Sequence, residues 1–174
     1  KGSWMFYEPF IRRAAGLGTA TARADPDRYD TRHEYCDVLV IGAGPAGLAA
    51  ALTAGRSGAR VVLAEQDSEF GGSLLSASDA DNEAWRGDCV EELLAMANVK
   101  LRSRTIVQGL YDGNLAVLAE HRDHLKPDPR KGQARQVLIS LRAKAIVMAA
   151  GAIERPLVFP NNDRPGVMLA SALR

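Results

Sequence analysis

Asp37-Val38-Leu39-Val40-Ile41-Gly42-Ala43-Gly44-Pro45-Ala46-Gly47 is the stretch that decides the fold of this chain. Residues 37–41 are a short, largely apolar, β-branched run ended by glycine, the pattern of a strand buried on both faces of a parallel sheet. The alanine-rich stretch that follows, to about Ser57, reads as a helix. Within it Gly47, Ala51 and Gly55 recur every four residues, so one face is smooth and lies close against the sheet. Pro45 is tolerated because the first helical turn leaves its backbone donors free anyway. Gly58 closes the helix, and Arg60-Val61-Val62-Leu63-Ala64-Glu65 reads as a second parallel strand ending in an acid.

Each part of this unit has a physical job. Gly42 permits the tight turn out of the strand, Gly44 lets backbone approach a pyrophosphate, and Gly47 allows close helix packing. Free amides and the positive end of the helix dipole then face the phosphates, with Pro45 and Ala46 on the same turn. Glu65, 23 residues after Gly42, falls where an acid accepts hydrogen bonds from the adenosine ribose hydroxyls, with Gln66 beside it. A glycine turn by itself is common; strand, glycines, small-residue helix, second strand and acid in this order predict a bound dinucleotide. A 2′-phosphate about 4 Å from Glu65 would meet repulsion of a few kcal/mol, which disfavours NADP. NAD and FAD share this half-site, and the fingerprint leaves both open.

Further along, Ser68-Glu69-Phe70-Gly71-Gly72-Ser73-Leu74 is a glycine loop that either passes beneath the cofactor or is an ordinary turn before a helix. Residues 81–97 have helical spacing, with Trp85 placed in the core. Residues 99–108, 115–120 and 136–142 are rich in β-formers; Tyr111-Asp112-Gly113-Asn114 signals a hairpin, and residues 121–134 a long exposed loop. A further buried strand, residues 145–149, leads into Ala149-Ala150-Gly151, where small residues again admit a ligand. A β-meander inserted before that strand predicts an α/β fold of the FAD/NAD(P)-binding, glutathione-reductase-type Rossmann class with a parallel sheet. Residues 1–34 read as an N-terminal extension and linker, and residues 35–174 as the dinucleotide domain. The helical beginning at 167–173 suggests a fragment whose domain is incomplete at its C-terminal end. Trp4, Phe6, Tyr7 and Phe10 need something to pack on, either this domain or a part beyond it.

The 174 residues are 47% hydrophobic and 25% charged with a net charge of +1, as for one soluble globular unit. Mixed charges argue against a nucleic-acid partner, and no apolar run approaches the roughly 20 residues of a membrane span. Cys36 and Cys89 are far apart and form no CxxC pair, which points to a reducing cytoplasm. His33, His121 and His124 have no metal-ligand spacing, and no serine or cysteine sits in a nucleophile motif. The chain is thus expected to bind a cofactor without supplying a catalytic residue or a metal.

Two longer stretches carry a resemblance. Trp4 with Tyr7-Glu8-Pro9-Phe10-Ile11-Arg12-Arg13-Ala14-Ala15-Gly16-Leu17-Gly18, followed by residues 36–47, is similar to the α subunit of heterotetrameric sarcosine oxidases. The ending, Gly151-Ala152-Ile153-Glu154-Arg155-Pro156-Leu157-Val158-Phe159-Pro160-Asn161-Asn162-Asp163-Arg164-Pro165-Gly166-Val167-Met168, resembles that family's signature more specifically. The resemblance implies a several-fold longer α subunit that binds NAD. It implies β, γ and δ partner subunits, with FAD in the β subunit, and FMN covalently attached at the interface. Such an enzyme oxidises sarcosine to glycine with O2 and tetrahydrofolate, giving H2O2 and methylenetetrahydrofolate. It places Gly42, Gly44, Pro45, Ala46, Gly47, Glu65, Gly72, Ser73, Val107 beside the adenine, Ala149 and Gly151 at the cofactor. Ala149-Ala150-Gly151 departs from the wider superfamily, which often has a threonine before the glycine. Two other readings stand beside this one: a subunit of a related opine, proline or cyanide-forming amino-acid dehydrogenase holding FAD or NAD, and a non-catalytic scaffold with a structural dinucleotide.

Overall fold

A computed structural model of the chain describes residues 4–16, 18, 22–76 and 79–173; Leu17 of the N-terminal motif and residues 19–21 of the expected linker lie outside the described residues. Chain order is helix α1 (Trp4–Ala14), strand β1 (Tyr29–Ile41), helix α2 (Pro45–Arg56), strand β2 (Val61–Ala64), helix α3 (Ala80–Ala95), then strands β3 (Val99–Arg102), β4 (Thr105–Tyr111), β5 (Leu115–His121) and β6 (Gln136–Met148). They form one six-stranded sheet in the order β3-β2-β1-β6-β5-β4. Strands β1, β2, β3 and β6 run parallel, and β4 and β5 form an antiparallel meander with β6.

Burial explains this layering. The apolar run in β1 splits between two cores, because successive strand side chains point to opposite faces. Val40 joins Leu48, Ala51 and Leu52 of α2, Val61 and Leu63 of β2, and Cys89 and Leu93 of α3. Leu39 and Ile41 meet Val62 and Ala64 on the other face, where the curled sheet brings up Ala116, Leu118, Val137, Ile139 and Leu141 of the meander. Between Cys36 and Val38 the strand bulges: the Asp37 and Val38 amides both donate to the Arg60 carbonyl, at 2.9 and 3.1 Å. A bulge of this kind shifts side-chain parity, which lets Cys36 and Leu39 share one core.

Several expectations need correction. Residues 29–34 are not linker but the first half of β1, paired with residues 136–141 of β6. Their polarity misleads because this half of β1 is mostly exposed, with Cys36 its first fully buried residue. Residues 99–108 are two strands, broken where Arg104 takes a φ of +50°. Residues 136–142 and 145–149, expected as separate strands, are joined in one 13-residue strand, β6. The second half of β6 is not buried on both faces, since Met148 is 64% exposed. Trp85 is 40% exposed rather than core, because the packed face of α3 is the one carrying Cys89 and Leu93. None of the α1 side chains is buried. Phe6 instead packs on Tyr7, with ring centroids 5.3 Å apart, and on Phe10, at 6.2 Å.

Candidate dinucleotide-binding site

Strand order places the site. From β1 the chain moves outward through α2, β2, α3 and β3, then returns through the meander to β6 on the other flank of β1. The crevice beyond the carboxyl ends of β1 and β6 is therefore a topological switch point, where sheets of this kind bind ligands. The strand ends are tied on both sides of β1: the Ala149 amide, just past β6, donates to the Ile41 carbonyl at 2.8 Å, and the Gly42 amide to the Ala64 carbonyl of β2 at 2.8 Å.

The three glycines of the turn divide the work. Gly42 has a φ of +94°, and a Cβ there would stand 2.5 Å from the Ala149 carbonyl oxygen. A Cβ on Gly47 would overlap the Gly42 carbonyl, so this residue lies behind the turn and fits α2 to it. A Cβ on Gly44 would meet nothing within 4 Å; its open side is the cleft. Gly44 caps α2 and Pro45 opens it, leaving the first-turn amides without acceptors inside the helix.

Glu65, at the end of β2, is only 7% exposed. Its Oε2 accepts from the Ala43 amide at 2.6 Å and its Oε1 from the Asp67 amide at 3.1 Å. The carboxylate thus braces the glycine turn while retaining unused acceptor sites, since an ionised carboxylate offers about four. Its own backbone is fixed on both sides, by the Arg102 carbonyl at 2.8 Å and the Thr105 amide at 2.7 Å.

A cleft of about 820 Å³ surrounds these groups. All the sequence-selected residues except Gly47 line it: Gly42, Gly44, Pro45, Ala46, Glu65, Gln66, Gly72, Ser73, Val107, Ala149 and Gly151. The loop at Gly71 and Gly72 belongs to it, because the Gly71 amide donates to the Ala43 carbonyl at 2.8 Å. Sequence reading missed Asp67, Thr105, Ile106, Leu110, Met148 and Ile153. Alternation along β4 signals that half its residues face one way, but not that the meander curls over this crevice. Among the described lining residues, the charged side chains are Glu65 and Asp67, both acidic.

Neither thiol belongs to the site. Both are buried, and burial pushes the Cys36 thiol up to about 11, leaving it protonated and inert. The His121 ring lies 3.0 Å from Gln136 of the neighbouring strand. Among the described residues there is no group of three metal-ligating side chains, and no helix long and apolar enough to cross a membrane.

The donor set suits a dinucleotide: bare backbone at Gly44, the opening of a 12-residue helix, a carboxylate at the second strand tip, and mainly apolar walls. Parallel sheet, glycine turn and meander together are the marks of the flavin- and nicotinamide-binding oxidoreductases. The family model described as FAD dependent oxidoreductase matches residues 37–149, and the chain belongs to that family. The alpha subunit of sarcosine oxidase from Rhizobium meliloti (strain 1021) is 50% identical over 172 residues, which cover 97% of this chain and 17% of that protein. An opine oxidase subunit from Agrobacterium tumefaciens (strain Ach5) is 35% identical over 155 residues, covering 80% of this chain and 28% of that protein. Among solved structures, L-proline dehydrogenase from P. horikoshii aligns with a TM-score of 0.56 at 27% identity, over 82% of this chain and 28% of that one. The chain thus spans less than a third of the length of each of these relatives.

Proposed function

We propose that this chain is the NAD-binding part of a sarcosine oxidase α subunit. The observation that carries the reading is the 50% identity to such a subunit over 172 residues, which cover 97% of this chain. In the complete enzyme, with β, γ and δ partners and further FAD and FMN, sarcosine and O2 would yield glycine and H2O2. The methyl carbon would leave on tetrahydrofolate as methylenetetrahydrofolate. Two free, buried cysteines suit the reducing cytoplasm.

The residues present would hold the cofactor at three points. The Gly42-to-Gly47 turn and the start of α2 would take the pyrophosphate, Glu65 the adenosine ribose, and the Gly72-Ser73 and Ala149-to-Gly151 segments would border the remainder, with Val107 beside the adenine. NAD, when bound, supplies a ring that exchanges a hydride. Glu65 and Asp67 together make the ribose end acidic, which opposes a 2′-phosphate.

A second reading, FAD in the same cleft, is favoured by the family's description. Calorimetric titration with NAD, NADP and FAD separates the two. Expected is NAD binding at least tenfold tighter than NADP, with the gap narrowed in Glu65→Gln. The glutamine keeps an acceptor for the Ala43 amide, which is safer than alanine because Ala43 is wholly buried. Equal affinity for NAD and NADP in the unaltered protein would sink the role given to Glu65; flavin co-purifying in the cleft would select the second reading.

A further inference from the structure

The loop carrying Gly71 and Gly72 is pressed against the glycine turn more closely than side chains would permit. Gly72 has a φ of +53°, and a Cβ on it would lie 2.9 Å from the Gly44 Cα. The front of the loop is tied by one backbone hydrogen bond, from the Gly71 amide to the Ala43 carbonyl. Its back is held by a residue of α3 that does not line the cleft. The Arg86 Nη1 donates to the Phe70 carbonyl at 3.0 Å, and a Cβ on Gly71 would stand 2.5 Å from the Arg86 Cδ. The same guanidinium donates from Nε to the Glu83 Oε2 at 3.0 Å, and from Nη2 to Oε1 of that carboxylate.

The Arg86 side chain is only 20% exposed, whereas that of Glu83 is 57% exposed. An ion pair so open on one side adds little stability. Its two-pronged geometry does fix the plane of the guanidinium, and so the direction of the remaining donor. That donor is aimed at the loop. We propose that Arg86 is a positioning residue for the phosphate turn: it holds Phe70 to Gly72 against Gly44 and so sets the width of the opening through which a pyrophosphate reaches the α2 amides. The proposal rests on the dinucleotide reading above for its ligand, but the contact it assigns exists without one.

The test uses the intact protein with Arg86→Met, which keeps the aliphatic stem and loses every donor, and Arg86→Lys, which keeps the charge and one donor group. Arg56→Met is the control. It breaks the exposed pair with Glu92 between α2 and α3, whose hydrogen bonds are both 2.6 Å, without touching the loop. Hydrogen exchange over residues 68–75 without ligand, and titration with NAD and with FAD, are the readouts. In Arg86→Met, exchange at Gly71 should rise and dinucleotide affinity fall, each about tenfold, for loss of a charged donor to a carbonyl. Arg86→Lys should recover part of both, and Arg56→Met should match the unaltered protein in both. Unchanged exchange in Arg86→Met overturns the proposal whatever the binding result; faster exchange with unchanged affinity overturns the positioning role. If the unaltered protein binds neither NAD nor FAD, the dinucleotide reading has failed, and the exchange arm still decides whether Arg86 holds the loop.

Discussion

Gly44 and Gly47 stand three residues apart in one motif, yet the space around them is opposite. A Cβ on Gly44 meets nothing within 4 Å, while one on Gly47 collides with the Gly42 carbonyl. Gly44 has an ordinary φ of −69°, so substitution there introduces no backbone strain. Gly44→Val should therefore keep the fold to within about 1 kcal/mol, the scale of a changed helix cap, and abolish dinucleotide binding by filling the approach. Gly47→Ala should do the reverse first, destabilising by about 1–3 kcal/mol as an overpacked site. Thermal melting and NAD titration on both variants check this, and a Gly44→Val protein that binds normally would show the pyrophosphate site to be misplaced. Glu65 carries the same lesson: its type and position were legible, but not that two of its acceptor sites are spent on the Ala43 and Asp67 amides.

Among the elements, those with a strong local signal were legible in the sequence, and the half of β1 that only its distant partner defines was not. The alanine-rich helix α2 and the turn at Asp112 to Asn114 follow from local propensity and from residues that tolerate positive φ, here Gly113 at +69° and Asn114 at +53°. The first half of β1 is polar because it is exposed, and only its pairing with β6 makes it a strand. Charge ties replace apolar burial there: Glu34 on β1 accepts from the Arg102 Nη2 of β3 at 2.7 Å. At the bulge, Asp37 accepts from the Arg60 backbone amide at 2.9 Å and from the Arg60 side chain at 3.0 Å, with the Lys144 ammonium 2.9 Å away, so one carboxylate joins β1 to β6 and to the residue before β2. The Arg60 guanidinium, then Lys144, hold the Asp37 carboxyl far below the usual carboxylate range. A depressed folded-state pKa stabilises the protein above the unfolded value, about 3.9 for aspartate, and that contribution is lost as pH falls below it. Asp37→Asn should therefore melt below the unaltered protein at pH 6 to 8, with the difference shrinking under pH 4. Melting curves across this range give the answer; a difference that grew on acidification would contradict the assignment.

For the molecule as a whole, the cleft is equipped to hold a cofactor and poorly equipped to transform an amine. A general base must come within about 3 Å of the proton it removes, directly or through one water. Among the described lining residues the ionisable groups are two acids, and one of them, Glu65, already braces the turn from a nearly sealed position. The other, Asp67, sits beside it on the segment after β2, at the end assigned to the ribose rather than to a reacting ring. A polypeptide of residues 1–174, purified alone, should release no hydrogen peroxide from sarcosine, with or without NAD and tetrahydrofolate, even where calorimetry shows the dinucleotide bound. An oxygen-electrode assay, with a complete sarcosine oxidase as positive control, measures this directly. Peroxide formation by the isolated polypeptide would mean that Asp67, or a residue beyond the cleft, supplies the missing base, and the separation of cofactor binding from amine chemistry drawn above would be wrong.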